Sequence, residues 1–201
     1  MASKTKKSPS SPTRRMAGEA KAIDALAGQM FDSLLPGDPP FEKERVRDAA
    51  AFMLDAAARR EPKISSISLT TASDDRRFMR IAIVNDDMPF LVDSIAATIA
   101  AQGLAIDRLV HPVVPVQRSD TGNLEAISGK DTADASRESM IYIETARIDA
   151  KQRRELEKAL RTTLGDVRVA VSDWPKLRKA VIKDAEQIDD TEGAALLKWL
   201  E

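Results

Sequence analysis

The sequence predicts an α+β fold over residues 62–172, with two helices on one face of an antiparallel sheet. From residue 76 to 172 the hydrophobic pattern alternates between period two and helical spacing, in the order strand, helix, strand, strand, helix, strand. A split βαβ arrangement with right-handed crossovers accounts for this order. We therefore predict a ferredoxin-like βαββαβ sheet with an extra N-terminal strand, flanked by N-terminal and C-terminal helices.

The residues before this region divide into a polar tail and a helical segment. Residues 1–18 contain basic residues and two Ser-Pro steps but little apolar surface, so a disordered tail is expected. Residues 19–61 show helical spacing on both sides of the breaker "LPGDPP", which predicts a helical hairpin. The alanine-rich faces of these helices are thin and need another surface to pack on.

Two strands are predicted at the start of the sheet. "KISSISLT" and "RRFMRIAIV" have strand composition and are separated by the polar turn "TASDD", which indicates an antiparallel hairpin. Period-two alternation in the second strand gives one apolar set that is expected to face the core: Met79, Ile81 and Ile83.

A helix and a long strand are predicted next. Apolar residues at four-residue intervals, with Gly103 at the C′ position, indicate a helix from about Pro89 to Gln102. Residues 104–118 are predicted to form one strand that lies at an edge or contains a bulge, since two prolines interrupt it. Residues 118–138 are polar and are predicted to form a loop.

The last predicted unit is a strand, a helix and a strand. "SMIYIETARI" alternates like a strand, and Asp149 with Gln152 forms a predicted capping box for a helix that Gly165 is expected to end. "DVRVAV" is predicted to be the final strand, and residues 173–201 a helical linker toward downstream domains. The apolar end "LLKWLE" suggests a chain that continues in a longer protein.

Only one face of the predicted sheet receives helices. The other face also carries apolar side chains: Phe78, Ala82, Met140, Tyr142 and Ala170. Such a surface needs a partner, either the helices of residues 19–61 or the sheet of another subunit. We therefore expect a homo-oligomer that assembles through the uncovered sheet face.

Composition argues against several classes of function. The 201 residues include 31 basic and 32 acidic side chains with a net charge of −1, so no general field attracts nucleic acid. The aromatic strand motif of RNA-binding domains of this topology is missing as well. No apolar run approaches the ~20 residues of a membrane helix, and the absence of cysteine suits a reducing compartment. A soluble cytoplasmic protein is expected.

Catalytic and metal-binding chemistry find little support in the residues. One histidine, one tyrosine, no cysteine and no G-x-S-x-G motif leave no catalytic residue to assign. His111 is predicted to be a hydrogen-bonded packing residue. Asp86 and Asp87 are adjacent and lack a third ligand at metal-binding spacing, so no metal site is predicted. No glycine-rich phosphate loop occurs, so no nucleotide cofactor is expected in this segment.

The segment "VNDDMPFLVDSI" is the candidate site. Met88 precedes proline and avoids helical dihedral angles, so it is the predicted N-cap and Pro89 the first helical residue. In one interpretation, the two aspartates only complement the positive end of this helix. In the other, free N–H groups hold the carboxylate of an amino-acid effector and an aspartate holds its ammonium group. The candidate effector-binding residues are Asn85, Asp86, Asp87, Met88, Pro89, Phe90 and Leu91.

The string "NDDMPFLVDSIAATIAAQGLAI" resembles the strand–loop–helix opening of ACT domains, which are small-ligand regulatory modules with the βαββαβ fold. Asp87, Pro89 and Leu91 match the Asp-x-Pro-Gly-Leu-like turn of that family, and "GLAI" matches the exit from its helix. Phe90 stands where ligand-binding members have the glycine that lets a ligand approach the backbone. That replacement favours a structural corner over an occupied pocket.

Several motifs in order resemble a narrower family. "IVNDDMPFLVDSI", "GLAIDRLVHPVVPVQR", "RESMIYIE" and "LLKWL" are together similar to the N-terminal region of the large bacterial NAD-specific glutamate dehydrogenases. The resemblance implies a parent enzyme that oxidatively deaminates L-glutamate to 2-oxoglutarate with NAD. Its catalytic and nicotinamide sites would lie outside this chain.

The same resemblance implies a non-catalytic, ACT-like regulatory or assembly module that has the downstream domains of its parent as partners and holds no cofactor itself. Two alternatives stay open. In one, the chain is a free-standing amino-acid sensor that binds an effector across a dimer interface. In the other, it is a purely structural oligomerisation domain.

Overall fold

An antiparallel sheet lies between two layers of helices in the computed structural model, which describes residues 18–34, 37–73, 77–127, 135–188 and 191–199. The helices are α1 (Glu19–Asp32), α2 (Lys43–Ala57), α3 (Leu91–Ala101), α4 (Ala150–Gln187) and α5 (Thr191–Trp199). The strands are β1 (Ser66–Ser73), β2 (Arg77–Asp86), β3 (Ile106–Val110), β4 (Val113–Arg118), β5 (Leu124–Ile127) and β6 (Ser136–Ala146). The predicted α+β class is confirmed. Residues 1–17 of the tail predicted for residues 1–18 lie outside the described ranges.

β6 is the central strand of the sheet. It pairs antiparallel with β2 on one side and with β3 and β4 on the other, while β1 pairs with β2 and β5 with β4. The single strand predicted for residues 104–118 is wrong, because residues 111 and 112 separate β3 from β4. The β3–β6 register shifts between Ile106 and Arg108, which lies away from the two prolines on which the predicted bulge rested.

Part of the segment predicted to be a loop forms a strand. Residues 124–127 form β5, which follows a turn at Gly122 with φ of +79° and pairs with β4. The prediction of a loop is wrong for these residues, because their strand conformation depends on pairing with β4 and on burial of Leu124, which polar neighbours in the sequence conceal. Residues 128–134 of the same segment lie outside the described ranges.

One face of the sheet packs against α3 and α4. Its core is built from isoleucines of the two central strands and the apolar stripes of both helices: Ile81, Ile83, Ile141, Ile143, Leu91, Ile95, Ile99, Leu156, Leu160, Leu164 and Val167. The predicted core-facing set of Met79, Ile81 and Ile83 is confirmed, since each of them is at most 1% exposed.

The opposite face packs against α1 and α2. This second core joins sheet residues to helix residues: Ala82, Val84, Met140 and Tyr142 with Leu26, Met30, Ala50 and Met53. Of the two partners predicted for this face, the helices of residues 19–61 are the one that covers it, so the expectation that the face stays uncovered is wrong. Small alanines let α2 lie close to the strands, so the N-terminal helices take the place that a second subunit was expected to fill.

Helix α3 begins two residues later than predicted. Its N-cap is Phe90 instead of Met88, and Phe90 adopts a left-handed φ of +68°. Pro89 therefore lies in the turn before the helix. The helix ends as predicted at Gly103, where φ is +73° and two backbone N–H groups close a Schellman motif on the last turn.

Helix α4 begins at the predicted capping box and then continues through the predicted last strand. Asp149 accepts from the Gln152 backbone over 2.8 Å, but the helix runs on to Gln187, so both the end at Gly165 and the strand "DVRVAV" are wrong. Val167 and Val171 continue the three- and four-residue spacing of the leucines before them, and the alternation of valines hid this helical stripe.

The order of elements changes accordingly. β2, α3, β3, β6 and α4 keep the first five elements of the predicted βαββαβ order. Ala170 lies on α4 and not on the sheet, and β1 occupies the edge beside β2 where a sixth element would pair.

Candidate functional site

The predicted site lies where β2 leaves the sheet and the chain turns into α3. Asn85 and Asp86 are the last two residues of β2, and Leu91 is the first residue of α3. Arginines from two distant parts of the chain reach this point: Arg60 follows α2, and Arg168 lies on α4. The site is therefore a junction of several elements.

The carboxylate of Asp86 bridges these two arginines. Arg60 Nη2 donates to Oδ1 and Arg168 Nη1 donates to Oδ2, each over 2.6 Å. Burial alone would raise the pKa of Asp86, but the hydrogen bonds and charges of Arg168 and Arg60 outweigh burial and lower the pKa. The chain itself thus compensates the charge of this aspartate.

The side chain of Asn85 is buried and uses both ends of its amide. Its Oδ1 accepts from Ser65 Oγ over 2.8 Å and from Arg168 Nη2 over 2.6 Å. Its Nδ2 donates to the carbonyl of Asp86 over 3.0 Å. Arg168 therefore binds both residues at the end of β2, and a single guanidinium fixes α4 against this strand.

A second carboxylate, Glu138 of β6, extends the arrangement. Its buried side chain accepts from Arg60, through Nε over 3.0 Å and Nη2 over 2.6 Å. It also accepts from Arg118, through Nε over 2.7 Å and Nη2 over 2.8 Å. Arg118 in turn donates to the carbonyls of Ala57 and Gly122, each over 2.9 Å, and so joins β4 to the end of α2.

Three arginines and two carboxylates thus form one connected group, which we call the junction network: Arg60, Arg118, Arg168, Asp86 and Glu138. Burial alone would lower the pKa of Arg60, but the attraction of Glu138 and Asp86 raises it. Because buried charges are tolerated only with close partners, the network holds α2, the sheet and α4 in one arrangement.

A separate ionic cluster lies at the other end of β6. Glu144, whose side chain is 1% exposed, accepts from Arg45 Nη2 over 3.2 Å and lies 3.7 Å from Arg108 Nε. Tyr142 also donates to Glu144 over 3.1 Å, and burial together with that carboxylate raises the pKa of the phenol, which stays neutral. This cluster joins α2 to β3 and β6.

Asp87 belongs to a different hydrogen-bonded chain. Ser139 Oγ donates to Asp87 Oδ1 over 2.9 Å and lies 3.0 Å from His111 Nε2. Burial lowers the pKa of His111, and the charge of Asp87 opposes that effect only in part. Because the Ser139 proton goes to Asp87, His111 is not its general base. His111 is the hydrogen-bonded packing residue that was predicted.

The other predicted residues form the turn into α3. Leu91 is buried and Met88 packs against the α3–α4 core, whereas Phe90 exposes 67% of its surface. The helix begins without a side-chain cap, because its N-cap Phe90 has no hydrogen-bonding side chain. Asp86 and Asp87 are bonded to side chains of other elements. Effector binding by residues 85–91 stays a prediction.

Potential metal ligands are dispersed over the described ranges. No group of three or more His, Cys, Asp or Glu side chains in them is arranged to hold a metal ion. Among the helices of the same ranges, none is both long and apolar enough to cross a membrane.

Most of the sequence that forms this junction matches a known protein family. The family model described as "Glutamate dehydrogenase, ACT1 domain" matches residues 40–160, which is more than half of the chain. The chain belongs to this family. The resemblance stated from its motifs is thereby confirmed.

Two relatives of the ACT1 chain are much longer enzymes. The NAD-specific glutamate dehydrogenase of Halomonas elongata is 34% identical over an alignment of 134 positions, which covers 60% of this chain and 8% of that protein. The NAD-specific glutamate dehydrogenase of Pseudomonas aeruginosa is 38% identical over an alignment of 101 positions, which covers 49% of this chain and 6% of that protein. The chain thus matches less than a tenth of the length of either relative.

The matched part of the ACT1 chain contains most of the junction network. Arg60, Asp86, Arg118 and Glu138 fall inside residues 40–160, and Arg168 follows the match on α4. The residue that fixes α4 to the site is therefore contributed from beyond the matched domain.

Sequence reasoning found the junction but missed its arginines and the two glutamates of β6. Glu138 and Glu144 share a strand face with Met140 and Tyr142. A carboxylate on an otherwise apolar strand face is therefore the sequence pattern that could have indicated a buried ion pair. Such a carboxylate requires a cationic partner, although nothing local identifies which arginine supplies it.

Proposed function

We propose that this ACT1 chain is a non-catalytic regulatory or assembly module of an NAD-dependent glutamate dehydrogenase. The parent reaction would be the oxidative deamination of L-glutamate to 2-oxoglutarate, with NAD bound elsewhere in the parent chain. The observation that carries the proposal is the match of this chain to the ACT1 family model. Its two relatives are NAD-specific glutamate dehydrogenases, and the chain matches only 8% and 6% of their lengths.

The geometry of the candidate site supports a module in which a movement of helix α4 changes the contacts at the end of β2. Asp86 joins Arg60 to Arg168, so a displacement of α4 must break or redirect charge-assisted bonds at the end of β2. A connection of this kind suits an element whose packing is sensed elsewhere in a larger enzyme. As part of the proposal, the downstream domains of the parent chain are the partners and the enzyme is cytoplasmic.

The non-catalytic role is tested by an absorbance assay. The purified chain is mixed with glutamate and NAD, and NADH formation is followed at saturating concentrations of both. We expect no NADH above the rate without protein, whereas the complete parent enzyme at equal molarity serves as the positive control. Turnover by the purified chain would contradict the proposal.

The regulatory role is tested in the complete enzyme with Arg168→Met. We expect an altered glutamate saturation curve or an altered molar mass by light scattering, because α4 loses its bonds to Asn85 and Asp86. Lys176→Met is the matched control, since Lys176 lies on the same helix and pairs with Asp173 at the exposed surface. Curves and masses that are the same for both variants and the unmodified enzyme would count against a regulatory or assembly role.

Residues 85–91 act as a structural corner in this proposal. Asp86 is already paired with two arginines, which compensate its charge and so weaken its attraction for an effector ammonium group. Calorimetry of the chain with each of the common amino acids is expected to give no heat of binding. Saturable heat that disappears in Asp87→Asn would instead assign an effector to this segment.

A further inference from the structure

The C-terminal part of the chain carries an unusual amount of exposed apolar surface. Nine large apolar side chains are exposed among the described residues, and six of them lie between residues 169 and 199. We call these six the C-terminal apolar surface: Val169, Trp174, Leu177, Ile188, Leu196 and Trp199. Single exposed apolar residues are ordinary, but a concentration on two adjoining helices indicates a contact surface.

Five of these six residues lie on α4 and α5, Ile188 directly follows α4, and the two helices pack on each other. α5 contacts α4, and Ala185 of α4 is buried although it lies far beyond the sheet core. Trp174 and Leu177 remain 54% and 57% exposed on the same α4, and Trp199 of α5 remains 79% exposed. The pairing of α4 with α5 therefore leaves the larger side chains uncovered.

A shallow groove of about 300 Å³ lies beside Trp174. Its walls are Trp174, Pro175 and Ile182, together with Arg178 and Lys179. Apolar side chains line the groove beside the charge of Lys179, and such a lining is complementary to an apolar segment that carries an acidic residue.

From this arrangement we propose that the C-terminal apolar surface docks the polypeptide that follows this module in the parent dehydrogenase, through an amphipathic segment that carries an acidic residue. The proposal rests on the proposed function, because it requires a parent chain. The surface begins beyond residue 160, where the ACT1 match ends, and the two relatives have more than nine-tenths of their length outside the matched region. Along the chain, the C-terminal apolar surface therefore lies between the matched domain and any part of the enzyme that follows it.

Hydroxyl-radical footprinting of the complete enzyme and of this chain alone tests the docking. Trp174, Leu177 and Trp199 are expected to react at least five-fold more slowly in the complete enzyme, because they become covered. Phe31 and Ile64 are the internal controls, since they are 57% and 54% exposed at other places in the fold and are expected to react equally in both proteins. Equal reactivity of the three test residues in both proteins would overturn the proposal.

A second copy of the chain is the competing occupant, and light scattering of the isolated chain decides it. We expect a monomer whose footprint does not change with concentration. A dimer that protects Trp174 and Trp199 in the isolated chain would overturn the proposal in favour of self-association.

A pair of double variants identifies the contact in the complete enzyme. Trp174→Ser with Leu177→Ser is expected to restore fast labelling of Trp199, whereas Phe31→Ser with Ile64→Ser is expected to leave it slow. Restoration by neither pair would overturn the assignment of the contact to this surface. NADH formation by the isolated chain would contradict the proposed function alone, so the two failures are distinguishable.

Discussion

At the scale of single residues, Phe90 has a backbone conformation that glycine adopts more readily. Its φ is +68°, and a left-handed conformation costs a residue with a Cβ about 1–2 kcal/mol. Since 67% of its surface is exposed, the ring contributes little burial in return. Glycine at this position would therefore adopt the conformation of the corner with less strain than Phe90 does.

Replacement Phe90→Gly is expected to raise the free energy of unfolding by about 0.5–1 kcal/mol, because the relief of strain exceeds the entropy cost of glycine. Phe31→Gly is the matched control, since Phe31 is 57% exposed within helix α1. The control is expected to lose about 1 kcal/mol. Urea denaturation of the three proteins measures both changes, and a loss of stability in Phe90→Gly would contradict the interpretation.

His111 is the only histidine in the chain, and burial lowers its pKa from the ordinary value of 6.5. The unfolded chain therefore takes up a proton at a higher pH than the folded chain. The free energy of unfolding should be highest above pH 6.5 and should fall as the pH decreases through 6.5 toward the folded pKa.

Denaturant titrations at pH 7.5 and 5.5 measure this effect. We expect the unmodified chain to be less stable at pH 5.5, and we expect His111→Gln, which keeps an amide near Ser139, to show a smaller difference between the two values. An equal difference in both proteins would mean that another group causes the pH dependence.

At the scale of elements, two glycines show how backbone context decides the sign of one substitution. Gly165 lies inside α4, where an added Cβ meets nothing within 4 Å. Gly122 has φ of +79°, and an added Cβ would lie 2.2 Å from the carbonyl oxygen of Arg60. The first position tolerates alanine, whereas the second would displace backbone beside the junction network.

Gly165→Ala is expected to raise the free energy of unfolding by about 0.5–1 kcal/mol, because alanine restricts the unfolded chain and favours the helix. Gly122→Ala is expected to lower it by more than that amount, since backbone atoms cannot yield as a flexible side chain can. Thermal denaturation by circular dichroism compares the two. A gain in both variants would contradict the positions of these glycines.

The elements also show what the sequence alone could supply. Gly103 and the Asp149–Gln152 box were predictable because capping depends on residues that are neighbours in the chain. The valines at 167, 169 and 171 fit the period of a strand, whereas 167 and 171 also fit a helical stripe, and only the core beneath α4 decides between the two. The arginine partners were out of reach, since Arg60 lies 78 residues from Glu138 and Arg45 lies 99 residues from Glu144.

At the scale of the whole molecule, the two cores on opposite faces of the sheet are connected by charge. Glu138 forms ion pairs with Arg60 and Arg118 on the α2 side of the sheet. Arg60 also pairs with Asp86, which in turn pairs with Arg168 of α4 on the other side. Arg60 thus takes part in the packing of both helical layers. Loss of its principal buried partner should therefore weaken the whole fold in one cooperative step.

Glu138→Gln tests this connection. The amide keeps the shape of the side chain but removes the charge that compensates Arg60 and Arg118, whose side chains are 5% and 10% exposed. Uncompensated buried charge is expected to lower the free energy of unfolding by about 3–5 kcal/mol. Glu157→Gln is the control, since it breaks an exposed i,i+4 pair with Arg161 and is expected to cost about 0.5 kcal/mol. In urea denaturation followed separately by the absorbance of Tyr142, which is buried in the core with α1 and α2, and by circular dichroism, both probes should shift together for Glu138→Gln. Equal small losses in the two variants, or probes that separate, would show that the junction network does not unite the layers.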